Sequence, residues 1–446
     1  MGVGVLSPAT TDDDMVRRAH VVRLYPTPVQ EAALEAQAHT ARALWNLLHE
    51  WYTWGDGGIA RRPQLAEIDR QLRDARTNPI PGYEWLAQLP AQATQQVLKQ
   101  YSRAWQQYHR RLVKRPRFKR RGRRMTVDNP QAETLRVVRL NRRWAEVTIQ
   151  MVGRVRFRWT RPLPGISRRR RGRITGARIV KDPLGWHISF RIEEPVTLVQ
   201  PSSGPQVGVD CGVVHTMALS DGRFFDMPPL LTEGEQLRLR RLELQAARRR
   251  RIRHRHPGTP ISKRERRAYE QIGALRARQT RRRKDWLHNK TTDLAKNHRL
   301  VVLEDLQIQC MTRSARGTIE TPGTKVKAKA GLNRSILAMA WGKTARMLAY
   351  KCPAHGGELV KVYAQNSSLE CARCGHVARA NRVGQALLSC AACGHWANAD
   401  TNAAQVLLAR GIAAQSGIAP GHGVTGRLSL AGGRAAKRQP PTRRPH

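Results

Sequence analysis

Between Cys371 and Asp400 the chain reads Cys371-Ala-Arg-Cys374-Gly-His, then Cys390-Ala-Ala-Cys393-Gly-His, then Asn398-Ala-Asp400-Thr-Asn402-Ala-Ala. Two C-x2-C pairs separated by fifteen residues have the spacing of a structural zinc site. Four thiolates leave no open coordination position, so an ion held by Cys371, Cys374, Cys390 and Cys393 does no chemistry itself. His376 and His395 follow the two knuckles and are the alternative ligands. A carboxylate seven residues past the last cysteine makes the metal module a device for placing a reactive acid. The chain is therefore a candidate enzyme as well as a candidate binding module.

The charge balance bounds the partner. Lys and Arg number 80 against 33 Asp and Glu, a formal net charge of +47 over 446 residues. Arginine richness alone reflects codon bias in a GC-rich genome, but the shortage of acids does not. Self-repulsion at this charge opposes a compact fold. A polyanion that engages many arginines relieves it, which points to nucleic acid. No apolar run is long enough to span a bilayer, and the N-terminus, with Asp12-Asp13-Asp14, lacks a signal-peptide core. A cytoplasmic protein with no membrane partner is expected. Its paired cysteines are then metallated rather than disulfide-bonded, and Cys211, Cys310 and Cys352 are reduced.

The length allows about two or three domains. Residues 1–15 are polar. His20–Tyr25 reads as a strand, broken by Pro26-Thr27-Pro28, and a helix pattern begins near Val29 with Ala33, Leu34, Leu44, Leu47 and Leu48 on its apolar side. Gly55-Asp56-Gly57-Gly58 ends it, and helices are expected over 61–76 and 91–112, the second with a core stripe of Trp105, Tyr108 and Leu112. Lys114–Arg124 is a basic run without an acid, suited to a phosphate-tracking loop. Alternating strands over 147–151, 155–159 and 186–192 then form a small β unit that could close as a barrel, interrupted by the basic cluster Arg168–Arg171. After a Gly204-Pro205 linker, strands are expected over 206–210 and 214–219, with an Asp221-Gly222 hairpin turn leading to Arg223–Asp226. Basic helices over 233–253 and 262–298 form a hairpin. Leu300–Glu304 reads as a buried strand, 312–331 as a loop, 333–350 as a helix, Glu358–Tyr363 as a strand and Asp400–Arg410 as the last helix. The tail after Gly411 has a disordered composition.

Asp210 and Glu304 each end an apolar strand, and Asp400 opens a helix. Carboxylates in apolar strands are costly unless they are paired or bind a cation. Three together repel one another and raise their pKa values. Two Mg²⁺ ions about 4 Å apart remove that conflict and suit in-line attack on a phosphodiester. Each acid also has a plainer reading. Asp210 could cap a turn, Asp305 competes with Glu304, and Asp400 could be an N-cap, a role for which Asn398 competes.

Val207-Gly-Val-Asp210-Cys-Gly-Val-Val-His-Thr-Met-Ala-Leu-Ser220-Asp-Gly222 resembles the first RuvC-type motif of the transposon-associated TnpB proteins and of their descendants, the compact type V CRISPR effectors. Val301-Val-Leu-Glu304-Asp-Leu306 with Met311-Thr-Arg313 resembles the second motif, and Asn398–Ala404 the third. The knuckles lie where that family inserts its zinc ribbon. Arg23–Thr27, Trp45-Asn46 and Arg115–Lys119 resemble its N-terminal half, so the likeness runs from about Arg23 to about Arg410.

The resemblance implies an α/β protein with an RNase H-like (RuvC) nuclease domain carrying an inserted zinc ribbon. An N-terminal β-barrel-like wedge domain with a helical recognition insertion precedes it. The implied divisions are a first wedge segment at 1–30, a helical recognition domain at 31–120 and a second, β-rich wedge segment at 121–200. The nuclease domain follows at 201–365 with a helical insertion at 233–298 and a lid loop at 312–331. Then come the zinc ribbon at 366–397, the final motif and helix at 398–410, and a basic disordered tail at 411–446. Asp210, Glu304 and Asp400 are implied as catalytic acids holding two Mg²⁺ ions, or Mn²⁺, beside one structural Zn²⁺.

The implied function is an RNA-guided DNA endonuclease of the prokaryotic cytoplasm, acting at the nucleoid. It binds a structured guide RNA, recognises a short flanking motif in double-stranded DNA and hydrolyses phosphodiesters at a single site. Expected nucleic-acid contacts are Lys114, Arg115, Arg117, Lys119, Arg120 and Arg121, then Arg168, Arg169, Arg170 and Arg171, then Arg248, Arg249, Arg250 and Arg251. An RNA-independent transposase or resolvase and a non-catalytic zinc-ribbon binder remain the alternatives. Transposon or CRISPR origin stays open, as does a monomer or a dimer on one RNA.

Overall fold

The structure is a computed structural model that describes residues 15–54, 65–78, 80–120, 125–167, 171–196, 199–363 and 365–416. The expectations for 1–14, for the Gly55–Gly58 break, for Arg121, for Arg168–Arg170 and for the tail beyond 416 lie outside the described residues. The chain divides into two compact units, one of 1–197 with 239–277 and one of 198–238 with 278–446. The outer part of the 233–298 hairpin thus groups with the first unit.

In the first unit, strand β1 (Met15–Tyr25) leads into helix α1 (Pro28–Trp54). Pro28 takes the first helical position, where its missing N–H costs nothing. Thr27 and Gln30 cap reciprocally: the Thr27 N–H donates to Gln30 Oε1 at 3.0 Å and the Gln30 N–H to Thr27 Oγ1 at 3.4 Å. Leu34, Ala38, Ala41, Trp45 and Leu48 recur at helical spacing and are buried. Helices α2 (Leu65–Thr77) and α3 (Ala91–His109) follow. Of the expected α3 stripe only Trp105 is core: Tyr108, in the last turn, is 36 % exposed, and Leu112, 70 % exposed, lies past the helix end at His109.

Six further strands complete this unit's sheet: β2 (Met125–Asn129), β3 (Val137–Arg139), β4 (Trp144–Ile149), β5 (Gly153–Arg158), β6 (Arg173–Asp182) and β7 (Gly185–Pro195). The sheet runs β2-β6-β7-β1-β5-β4-β3, every pair antiparallel, with β2 and β3 at its edges. Among the described residues no pairing joins β2 to β3, so the barrel-like expectation becomes an open sheet. Strands β2, β3 and β6 are not among those expected from the sequence. Strand β6 carries a register shift at Gly176, whose φ of +151° breaks the alternation that would mark a strand.

The second unit holds strands β8 (Gln206–Asp210), β9 (Met217–Leu219) and β10 (Phe224–Phe225), then the long helices α4 (Glu233–Arg255) and α5 (Lys263–Asn297) that form the hairpin shared with the first unit. Next come β11 (Leu300–Glu304), α6 (Ile308–Met311), α7 (Val326–Met339), α8 (Trp341–Ala354), β12 (Glu358–Val362), β13 (Leu387–Ser389), β14 (Trp396–Asn398) and α9 (Ala399–Gln415). The single helix expected over 333–350 is two, parted at Ala340, whose φ is +59°. Helix α7 also takes up the end of the expected 312–331 loop.

The main sheet of this unit runs β10-β9-β8-β11-β12. Strands β8, β11 and β12 are parallel, β9 runs antiparallel to β8, and β10 runs antiparallel to β9. Side chains alternate between the faces of a strand. Val207, Val209, Val301 and Leu303 therefore pack with Leu287 and Leu294 of α5 and Met347, Leu348 and Cys352 of α8. Leu300, Val302, Val360 and Val362 face the other way, against Leu407 and Leu408 of α9. This two-sided burial explains why β8 and β11 read as near-continuous apolar runs. Helix α9 lies on the sheet because two glycines clear its path. A Cβ on Gly208 would stand 2.0 Å from the Ala404 carbonyl oxygen, and one on Gly411 would stand 2.3 Å from Val302 Cγ2.

Candidate active site and cysteine cluster

The register of β8 and β11 pairs Val209 with Leu303, so the next residues, Asp210 and Glu304, end their strands side by side at one edge, still paired on their far sides with Ala218 and Val362. Neighbouring strands are about 4.8 Å apart. Asp400 reaches the same electrostatic neighbourhood from the second position of α9. Asn398 settles the competition for the cap: its Oδ1 accepts the Asp400 N–H at 3.0 Å and the Thr401 N–H at 3.1 Å. The Asp400 carboxylate is thereby left free for other work.

Burial, reinforced by the negative charge of Asp400, pushes the Asp210 carboxyl up to about 6, against the opposing pull of Arg382 and of the Cys211 backbone N–H. Burial and then the charge of Asp210 push Glu304 up to about 7, opposed by a hydrogen bond from Ser367 and by Arg410. Ser367 Oγ donates to Glu304 Oε1 at 3.2 Å. The cation beside Asp400 is Arg382, with Nη2 3.9 Å from Oδ1. Carboxylates that raise one another's pKa in a half-buried setting are what a divalent cation stabilises, and an all-oxygen donor set suits Mg²⁺ or Mn²⁺. Burial and the charges of Asp210 and Glu304 push the neighbouring Cys211 thiol well up, so it stays protonated. It lines a cavity of ≈ 330 Å³ beside Glu304, with Leu303, Trp341 and Arg346.

The four cysteines gather as their spacing predicts. Their sulfurs all lie within 4.8 Å of one another, with Cys371 to Cys393 at 3.8 Å and Cys374 to Cys390 at 3.6 Å. Tetrahedral zinc with bonds of about 2.3 Å puts sulfurs about 3.8 Å apart, so the set fits that ion. Among the described residues this is the one group of three or more potential ligands drawn so close; the three acids are not. Neither histidine belongs to it. Each supplies a backbone carbonyl instead: His376 O accepts the Cys371 N–H at 3.0 Å, and His395 O accepts the Cys390 N–H at 2.8 Å. Gly375 and Gly394 close the matching turns with φ of +74° and +70°, which a side chain resists.

Two asparagines were missed in the sequence. Asn381 is fully buried; its Nδ2 donates to Leu369 O at 2.8 Å and His376 O at 2.9 Å, and its Oδ1 accepts the Ala391 N–H at 3.0 Å. It thus ties the two knuckles together. Asn402, also fully buried, donates to Glu370 O at 2.6 Å and accepts the Ala372 N–H at 2.9 Å. It fastens α9 to the first knuckle two residues from Asp400. Its place one turn after Asn398 is a usable signal. Asn381 and Arg382 stand in an irregular stretch and give none.

The expected nucleic-acid contacts fall differently. Lys114, Arg115, Arg117 and Arg120 are exposed. The segment is not a loose loop, however. Trp45 Nε1 donates to Arg117 O at 3.2 Å, and Asn46 exchanges two hydrogen bonds with the Lys119 backbone at 2.8 and 3.2 Å. The Lys119 ammonium sits 3.6 Å from the Trp45 ring centroid, and burial pushes it down to about 8. Lys119 is therefore packed against Trp45, unlike its exposed neighbours. Arg171, Arg248, Arg250 and Arg251 are exposed, while half-buried Arg249 donates to Arg264 O at 2.8 Å.

Three family models match the chain: a Cas12f1-like TNB domain over 341–407, "Probable transposase" over 188–315 and a helix-turn-helix domain over 15–52. In the last range the structure has β1 followed by α1. The chain is 34 % identical over 328 residues to "Putative RNA-guided DNA endonuclease InsQ" of Escherichia coli, covering 74 % of this chain and 76 % of that protein. It is 28 % identical over 438 residues to "Putative RNA-guided DNA endonuclease" of Streptomyces pristinaespiralis, covering 96 % and 97 %. Among solved structures, a Cas12f1–sgRNA–target DNA complex aligns over 85 % of this chain and 82 % of its own at 14 % identity and a TM-score of 0.47. The mini-RNA-guided endonuclease Cas-phi3 aligns over 89 % and 92 % at 11 % identity and a TM-score of 0.46.

Proposed function

Because this chain belongs to the TnpB family of transposon-associated proteins and compact type V effectors, we propose that it is an RNA-guided DNA endonuclease with one RuvC-like active site. The observation that supports the site assignment is the electrostatic coupling of Asp400 to Asp210 and of Asp210 to Glu304. Two acids end adjacent parallel strands, the third opens a helix laid across both of them, and each link in the series raises a neighbour's pKa. The strand order, with β9 antiparallel between β8 and β10 and with β8, β11 and β12 parallel, supports an RNase H-like domain.

Asp210, Glu304 and Asp400 would hold Mg²⁺ or Mn²⁺, which when bound supplies Lewis acidity for phosphodiester hydrolysis. The chain's own residues do the rest. The sheet edge fixes Asp210 and Glu304, Asn398 frees the Asp400 carboxylate, and Asn402 sets α9 against the first knuckle. Arg382 keeps a cation beside the acids, and Ser367 orients Glu304. Cys371, Cys374, Cys390 and Cys393 would hold one structural Zn²⁺. Guide RNA and target DNA would engage the basic surfaces, with guide pairing supplying sequence specificity. We read the first unit's sheet and helices as the wedge and recognition domains.

The test is to purify the protein from its native locus, sequence the RNA that comes with it, and challenge the complex with matching DNA. A bound transcript that directs cleavage is expected. Absence of any stable RNA would sink the reading.

The raised carboxyls carry a pH signature. A folded-state pKa above the unfolded value contributes stability at low pH that is lost as pH rises through the folded value. For Asp210 and Glu304 the loss runs from about pH 4 up to pH 6 and 7. Ion-free protein should therefore melt lower at pH 8 than at pH 5.5, and Mg²⁺ should raise the melting temperature more at pH 8. Asp210→Asn with Glu304→Gln should flatten that difference. Arg382→Ala should move the onset of Mg²⁺ binding to higher pH, because the arginine holds Asp210 down. Melting curves with and without Mg²⁺ read all three, and an unchanged slope in the double variant would refute the assignment.

Asn402→Ala should leave the zinc content intact and lower cleavage about 10–100-fold, the usual cost of losing a partner that orients a ligand. Metal analysis beside single-turnover rates decides it. A variant cutting at the wild-type rate would show that the tether to the knuckle does not position Asp400.

A further inference from the structure

The edge that carries Asp210 and Glu304 carries a second pair of functional groups. Strand β8 ends at Asp210, which pairs with Ala218, and Met217 at the start of β9 pairs with Phe225 at the end of β10. His215 and Asp226 lie just beyond those ends, so both share the acids' edge. His215 Nδ1 stands 3.0 Å from Asp226 Oδ1 and 3.2 Å from Oδ2. An ionised carboxylate only accepts, so Nδ1 is the donor; Nε2 in turn donates outward when the ring carries both protons, the form that a carboxylate on one side and a phosphate on the other stabilise. The ring is locked in place. It packs on Phe224 with centroids 4.4 Å apart, and Thr216 beside it is 3 % exposed and accepts the Met227 N–H at 3.1 Å. The His215 side chain keeps 32 % exposure, and among the described residues no group bonds to Nε2. Val213 and Val214 on the same turn are 38 % and 66 % exposed. A fixed imidazole with an outward nitrogen, at the rim of a site for polyanions, is built to meet an anionic oxygen.

We propose that His215, oriented by Asp226, contacts a backbone phosphate of the substrate strand within about three nucleotides of the scissile bond. The distance follows from the sheet. Strand β10 is two positions from β8, which is about 10 Å, and a DNA strand rises about 3.4 Å per nucleotide. The inference rests on the nuclease reading and adds a seat for the strand beside the acids. His215 would act in binding rather than in the chemical step.

The experiment uses the full chain loaded with guide RNA and target strand, with the displaced strand supplied as a separate labelled oligonucleotide. His215→Ala should raise KM about tenfold, the worth of one charge-assisted hydrogen bond, and leave kcat within about twofold. His215→Gln, which keeps a donor, should recover most of that loss, and Asp226→Asn should fall between. A neutral methylphosphonate at one phosphate within about three nucleotides of the cut should cost the wild type the same factor and cost His215→Ala nothing more. An unchanged KM in His215→Ala would overturn the proposal. So would losses that multiply at every methylphosphonate position, or a fall in kcat and melting temperature that glutamine does not rescue, since these mark a strut between strands. Wild-type protein that cuts no DNA would instead sink the nuclease reading and the inference with it. Cleavage surviving Asp210→Ala would move the active site elsewhere and leave His215 without a strand to seat.

Discussion

Asp210→Ala is expected to cut guide-matched DNA slower than the wild type by on the order of 10³-fold or more, with guide-RNA affinity unchanged. Glu304→Ala should fall as far, and the double variant little further, because the acids act as one unit. The size follows from the structure. Asp210 and Glu304 end adjacent strands at one edge, each is held well above the ordinary carboxyl range, and Asp400 adds its charge to Asp210. Removing one acid both deletes a ligand and relaxes the repulsion that draws a cation in. Both variants should melt no lower than wild type without Mg²⁺, since an unfavourable buried charge has gone. Cleavage at the wild-type rate in Asp210→Ala and Glu304→Ala would end the assignment, whatever nucleic acid the protein binds.

Cys371→Ser with Cys390→Ser is expected to release zinc, unfold 366–397 and abolish cleavage while leaving the first unit intact. Structural zinc contributes about 10–16 kcal/mol in small isolated modules, and this ribbon has only short strands and few buried apolar side chains to replace it. The loss should reach the acids through named bonds. Asn402 joins α9 to the Glu370 carbonyl and the Ala372 N–H, both beside Cys371, and Arg382 stands 3.9 Å from Asp400. Hydrogen exchange over 366–416 should rise with the release of metal, while 15–195 stays protected. Zinc-free protein that keeps full activity would show that the ribbon does not place Asp400.

Local chemistry made several of these features visible along the chain. The knuckles repeat the same short pattern, so the metal module shows in spacing alone. Strands β8 and β11 are buried on both faces and are short and apolar, so Asp210 and Glu304 stand out at their ends. What stayed hidden depends on contacts made in the folded chain. Strand β6 hides behind a glycine bulge. Lys119 looks like its basic neighbours until Trp45 and Asn46 dock its segment. Asn402 meets chain 30 and 32 residues away, and Asn381 and His215 meet partners 5 to 12 residues away across turns that carry no local signal.

By itself the sequence determined the chemistry available: four thiols in zinc spacing, three acids at element ends, a large excess of arginine, and the family motifs that join them. These are properties of residue type and near spacing, which survive in one dimension. Only the tertiary structure decided that Asn398 rather than Asp400 caps α9, that glycines at 208 and 411 let this helix lie on the sheet, and that Arg382 reaches the acids from the ribbon. The cap is a local bond for which the sequence offered two candidates; the other two outcomes turn on packing distances of a few ångströms between separate segments, which no pattern along the chain encodes.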